Sequence, residues 1–212
     1  MNDAATPDRK DAALDAFLGL VAGKGYGGVA LRDVAAAAGL GLAELYGLFR
    51  DKPSLVAAFL ARVDRTVLAG TASALDPEET VRDRLFDVMM RRYDALQPYR
   101  AAVASVHRAA RRDPLLALAL APALRRSMAA MLEAAAVPAD GLPGAVRQVG
   151  LLAVHDAVTR VFEADDSADL SKTMAALDGR LKRAEIWAQR LDKVTQRRPD
   201  TAPPAEGNAP AP

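Results

Sequence analysis

Residues 31–55, LRDVAAAAGLGLAELYGLFRDKPSL, hold two short apolar-patterned segments hinged at one glycine and followed at once by a third, and no other stretch limits the fold so closely. Leu31, Val34, Ala35 and Ala38 mark a helix that Gly39 stops, because glycine takes the left-handed conformation that a tight turn between helices needs. Leu42, Leu45, Tyr46 and Phe49 mark the next, whose start is weakly specified since Gly41 stands where a capping side chain would help. Ahead of both, Leu14, Phe17, Leu18 and Val21 repeat at one buried-face spacing, and Gly23, Gly25, Gly27 and Gly28 end that helix. The pattern predicts a helix-turn-helix, a shape suited to a DNA groove.

Composition extends the helical reading to the whole chain. Apolar residues make up 51% with only 5% aromatic, a balance that favours packed helices over sheets. At 212 residues a substantial core can be buried without any staple. Cysteine is absent, which excludes a disulfide framework and a thiolate metal site. The start of the chain is polar, and the longest unbroken apolar run, LLALALAPAL at 115–124, falls short of the roughly 20 residues of a membrane span. A cytoplasmic protein without a membrane span is expected. Net charge is +1, distributed as −1 over residues 1–60 and +3 over 61–112, so the helix-turn-helix end is not the basic end.

A fourth helix is predicted from Asp51, a good N-cap with Pro53 in the first turn, through Leu55, Phe59 and Val63. Asp76-Pro77-Glu78-Glu79 reads as the cap and acidic first turn of a fifth, carried by Val81, Leu85, Val88, Met89 and Leu96 and closed by Pro98. A helix over 99–112 follows, then an apolar one opened by Asp113-Pro114 and bent at Pro122. Residues 136–144 read as a linker, and 145–163 and 168–192 as two final helices. The expectation is an all-α protein of about nine helices: a helix-turn-helix domain over 1–50, a larger helical ligand-binding and dimerisation domain over 51–192, and a disordered tail over 193–212, rich in proline and alanine.

Gly25-Tyr26, Leu31-Arg32-Asp33-Val34-Ala35, Ala38-Gly39-Leu40, Leu45-Tyr46, Phe49, Lys52 and Leu55 stand in an order and spacing that resembles the tetracycline-repressor (TetR) family of bacterial transcription regulators. The resemblance covers about the first quarter of the chain closely. It implies a homodimer whose paired third helices enter successive major grooves of operator DNA, about 34–36 Å apart. On that pattern Arg32, Tyr46 and Lys52 reach phosphates, while Leu42, Ala43, Glu44 and Gly47 face the bases. This chain departs from the family at Ala30 and Gly41, where Thr or Ser is usual, and at Leu42, Glu44, Gly47 and Leu48, where polar or basic residues are common. Glu44 can accept from cytosine N4, and Gly47 weakens a short helix by about 1 kcal/mol relative to alanine.

In the body, Phe86, Met89, Met90, Tyr93, Val103, His107, Met128 and Met131 are candidates to line a cavity for a small hydrophobic ligand, and ordinary core packing is the competing reading. His107 and His155 lack the paired spacing of a zinc helix and read as structural; no metal site and no cofactor is expected. Arg91, Arg92, Arg108, Arg111 and Arg112 are candidates to meet the phosphate or carboxylate of an anionic ligand such as an acyl thioester, and solvated faces paired with Asp87 and Asp94 are the favoured reading. By the family resemblance the last two helices form the dimer, with Leu177, Leu181 and Trp187 at the seam. A second resemblance, carried by ADDSADLSKTMAALDGRL at 164–181 and VRDRLFDVMMRRYDAL at 81–96, is to the coenzyme-Q biosynthesis accessory proteins, which share the fold but bind lipid instead of regulating transcription. No nucleophile–base pairing, Gly-x-Ser-x-Gly or phosphate-cradling glycine loop appears, so no enzyme is expected. Two readings stand: a ligand-controlled DNA-binding regulator, acting as a repressor, and a DNA-silent lipid or isoprenoid binder of the same fold.

Overall fold

The computed structural model describes residues 5–71 and 78–196, with side chains placed over 8–71 and 78–186. Among the described residues there are nine α-helices, two single 3-10 turns and no strand. The N-terminal unit is α1 (Ala5–Lys24), α2 (Leu31–Ala37) and α3 (Leu42–Leu48), followed by α4 (Lys52–Gly70). The body adds α5 (Val81–Leu96), α6 (Arg100–Arg112), α7 (Pro114–Ala134), α8 (Gly141–Phe162) and α9 (Ser171–Gln196). Main packing pairs α4 with α7, α8 with α9 and α1 with α6.

Short helices hold their places through sequence-local devices and one shared core. Gly25 (φ 78°) and Gly39 (φ 67°) take the left-handed conformation where α1 and α2 end. Ala30 offers no capping side chain, yet its N–H donates to Asp33 Oδ2 at 3.1 Å, so one orphan donor at the start of α2 is satisfied from inside the helix. Asp51 caps α4 reciprocally with Ser54: the Ser54 N–H donates to Asp51 Oδ1 at 2.8 Å, and the Asp51 N–H donates to Ser54 Oγ at 3.1 Å. Val34, Ala35, Leu45 and Phe49 are buried in the same cluster as Ala13, Leu14, Phe17 and Val21 of α1. This burial, more than intrinsic propensity, stabilises seven-residue helices such as α2 and α3.

Several expected boundaries move. Helix α5 is capped by Thr80, whose Oγ1 accepts from the Asp83 N–H at 3.2 Å, while Asp76 and Pro77, the expected cap and first-turn proline, lie outside the described residues. The linker expected over 136–144 is shorter, because α8 already begins at Gly141. There a Cβ on Gly144 would fall 2.0 Å from the Ala139 carbonyl oxygen, so the close approach of α8 to the preceding turn requires glycine. Helix α7 is one element through Pro122, which sits on its exposed side. Helix α9 reaches Gln196, four residues into the expected tail, whose remaining part lies outside the described residues.

Helix α7 is also long and apolar enough, by composition alone, to cross a membrane. In this fold Leu116, Leu120, Ala123, Met128, Met131 and Leu132 bury its apolar stripe in the protein core.

The motif at 164–181 has a structural task. Fully buried Asp165 accepts from the Thr173 N–H at 2.8 Å, the Thr173 hydroxyl at 2.6 Å and Ser167, which ties the entry loop to the first turn of α9. Burial opposes ionisation there, but these hydrogen bonds outweigh it and hold the carboxyl well below the usual carboxylate range.

Candidate DNA-facing surface and internal cavity

Helix α3 turns Leu45 inward, with no exposure, and leaves Leu42 (45% exposed) and Tyr46 (54% exposed) on the outside together with Gly41, Ala43 and Gly47. Its only charged residue, Glu44, is bound by the Arg9 guanidinium of α1. The outer face of α3 is thus apolar and small, and exposed cations, each paired with the neighbouring aspartate, lie at its margins. Arg32 opens α2 with its side chain 81% exposed, and Arg50, in the turn between α3 and α4, is 90% exposed beside Asp51.

Lys52 takes a different position from the phosphate-facing one implied by the resemblance. Its Nζ donates to the carbonyls of Tyr26 (2.9 Å) and Val29 (3.0 Å) and lies 4.4 Å from the centre of the Tyr26 ring. The ammonium thus closes the turn between α1 and α2. Burial lowers its pKa, and burial, with Asp51 and Asp113 adding, pushes the Tyr26 hydroxyl up to about 12.

Further polar contacts fasten the head to α4 and the body. The Tyr26 N–H donates to Ser105 Oγ of α6 at 2.8 Å, and Arg62 of α4 donates to Asp15 of α1 at 2.7 Å while lying over the Tyr99 ring.

Between the helices is a cavity of about 120 Å³. Its wall takes Phe17 and Leu18 from α1; Val56, Phe59 and Leu60 from α4; Val103, Val106, His107 and Ala110 from α6; and Leu120 and Leu124 from α7. Five polar residues, Arg92, His107, His155, Asp156 and Thr159, interrupt this apolar lining. Arg92 of α5 has no exposure; its Nη1 donates to Asp64 of α4 at 2.5 Å, and Asp64 also accepts from the Ser127 hydroxyl at 2.6 Å. His107 places Nε2 2.8 Å from Asp156 and Nδ1 against Glu163. His155 pairs Nδ1 with the Tyr93 hydroxyl at 3.0 Å; burial, helped by the charges of Arg92 and His107, lowers its pKa to about 3.

Of the eight residues read as cavity candidates, Val103 and His107 stand in the wall. Met89, Tyr93, Met128 and Met131 have no exposure and fill the core, while Phe86 and Met90 pack against it half-buried. Arg92 is not part of a solvated face, and its partner is Asp64 rather than Asp87 or Asp94. A signal for this existed: Val88, Met89, Arg92, Tyr93 and Leu96 repeat at helical spacing, so the arginine occupies a position of the buried stripe.

At the expected dimer seam, Leu177 has no exposure and Leu181 only 4%, because the protomer's own α8 and α5 cover them. The side chain of Trp187 lies outside those described. Among the described residues, Leu142, Val146 and Val149 of α8 are exposed along one face, Leu115 and Leu118 of α7 are exposed as well, and Met174 and Ile186 of α9 are partly so.

No protein-family model and no curated protein matches this chain. Solved structures do. A TetR transcriptional regulator from Nitrosomonas europaea superposes with a TM-score of 0.67 at 22% identity, covering 84% of this chain and 98% of that one. A TetR transcriptional regulator from Rhodococcus sp. RHA1 gives 0.61 at 19%, covering 83% and 94%. The fatty acid degradation regulator FadR from Bacillus halodurans gives 0.55 at 18%, covering 82% and 94%. What is shared at these identities is the architecture, head and body together: this chain has the fold of the TetR-family transcriptional regulators.

Proposed function

We propose that the chain is a DNA-binding transcriptional regulator, a repressor that works in the cytoplasm as a homodimer and is released from its operator when a small ligand fills the cavity. The observation that carries this reading is the make-up of the cavity wall. Phe17 and Leu18 belong to α1 and Val56, Phe59 and Leu60 to α4, the two helices that flank α2 and α3. A ligand there touches the supports of the DNA-facing helix directly. It shifts the equilibrium only by its difference in affinity for the bound and released conformations.

On the DNA side, Leu42 and Tyr46 meet the groove, with apolar contact to a thymine methyl within reach of Leu42's chemistry, and Arg32 and Arg50 meet flanking phosphates. Glu44, tied to Arg9, acts as a brace. The second copy of the chain docks on the open face of α8 through Leu142, Val146 and Val149, whose spacing suits a helix bundle. The lipid-binding alternative is less well supported, because an engineered cavity of roughly 150 Å³ accommodates a benzene ring, and this cavity of about 120 Å³ leaves no room for a polyisoprenoid chain.

Fluorescence anisotropy with the DNA flanking the chain's own gene and with random duplex, across a salt series, tests the proposal. The expected outcome is preferential binding to the flanking DNA, with Arg32→Ala and Arg50→Ala each reducing the salt slope by about one. Equal, weak binding to both duplexes rejects DNA regulation. Sedimentation of Val146→Asp tests the dimer, which is expected to dissociate; an unchanged dimer rejects the α8 seam.

A further inference from the structure

Arg92 holds more binding capacity than the protein uses. Its side chain has no exposure, and only Nη1 has a partner, Asp64. Nε and Nη2 are buried without any acceptor. Those two nitrogens lie on one edge of the planar guanidinium, with N–H bonds that run parallel at the spacing of two carboxylate oxygens. A buried donor without a partner is destabilising, and here two stand side by side on a residue that belongs to a cavity wall.

From this geometry we propose that the cavity takes a small apolar carboxylate, an arene or short branched chain bearing one CO2−, with its two oxygens seated on Nε and Nη2 of Arg92. The other charges around the cavity leave this edge as the anion site. Asp64 is already engaged by Arg92 Nη1 and Ser127, and its side chain keeps 15% exposure, so its charge is partly solvated while that of Arg92 is not. Asp156 and Glu163 face His107, and Asp156 also accepts from Arg160. Phe59, Val106, Leu120 and Leu124 supply the apolar wall for the rest of the ligand. The volume of about 120 Å³ sets its size near that of a single six-membered ring. A neutral carbonyl answers one of the two donors, and a carboxylate answers both.

This assignment rests on the reading of the cavity as an effector site, but it is measured on the free protein. Benzoate and 3-methylbutanoate are titrated into the full chain by calorimetry, beside benzamide and toluene. Both carboxylates are expected to bind, with benzamide roughly ten- to a hundredfold weaker and toluene weaker still. Arg92→Lys, which keeps the charge but loses the fork, is expected to lower carboxylate affinity by a similar factor. Ala110→Leu, which occupies the cavity without touching the Arg92–Asp64 pair, is expected to abolish binding and keeps the test decisive if the lysine variant does not fold. Benzamide or toluene binding as tightly as benzoate, absence of carboxylate binding at millimolar concentration, or undiminished affinity in both variants overturns the assignment. Carboxylate binding that leaves operator binding unchanged counts against ligand control alone.

Discussion

Replacing Ala110 by leucine puts three additional carbons into the internal space. Ala110 lines the cavity from α6, opposite residues of α1, α4 and α7. At about 24 cal/mol per Å³, abolishing all of the 120 Å³ void stabilises the protein by at most about 3 kcal/mol. Three buried methyl or methylene groups at about 0.8 kcal/mol each give a similar ceiling of about 2.4 kcal/mol. Loss of leucine rotamers opposes this by about 0.5–1 kcal/mol. The net expectation is a gain of about 1–2 kcal/mol, which for a chain of this length raises the melting temperature by about 2–8 °C. Differential scanning calorimetry and urea unfolding at neutral pH measure it, and the same variant is expected to lose its response to benzoate. A melting temperature that stays level or falls refutes the reasoning, because it shows that leucine meets packed atoms instead of open space.

Further outcomes are expected elsewhere. His155 has its pKa lowered to about 3 by burial, with Arg92 and His107 adding, against 6.5 for the free side chain. Stability is therefore full above pH 6.5 and is lost as pH falls, by about 2 kcal/mol between pH 7 and 5 from this group alone, because the unfolded chain takes up the proton first. His155→Asn is expected to flatten that part of the pH profile in urea melts, and an unchanged slope rejects the assignment. Below the ordinary carboxylate range Asp165, with its lowered pKa, adds a loss of the same sign. Lys52→Met keeps the aliphatic stem but leaves the Tyr26 and Val29 carbonyls without a donor, and is expected to destabilise the head by about 1–3 kcal/mol. Faster hydrogen exchange through α2 and α3 is its signature, and wild-type exchange rejects the bracing role.

The helices were legible in the sequence because their causes are local. Gly39 ends α2, Asp51 caps α4 and Asp113 caps α7 through the N–H groups of Leu115 and Leu116, each within a few residues of the element it shapes. Periodicity likewise found the inward faces of α1 and α3 at Phe17, Val21 and Leu45. Where a boundary moved, as at Thr80 and Gly141, the deciding contact was a cap or a close approach that several nearby residues were equally able to provide.

The cavity was not legible in the same way. Met89, Met128 and Met131 have the chemistry of a pliable pocket wall but fill solid core, while Phe17, Leu18 and Phe59, read only as helix-face residues, line the open space. Helical spacing reports that a residue faces inward, and says nothing about whether the facing helix leaves a gap.

By itself, then, the sequence determined an all-helical chain with a helix-turn-helix at its start, since turns, caps and buried stripes act over one or two helical turns. Only the tertiary structure decided what the charged residues do. Arg92 meets Asp64 across 28 residues, Lys52 reaches Tyr26 across 26, and Arg9 holds Glu44 across 35. A charge that reads as solvated along the chain becomes a brace, or a buried unpartnered fork, when packing removes water from one side and brings a distant partner to only part of it.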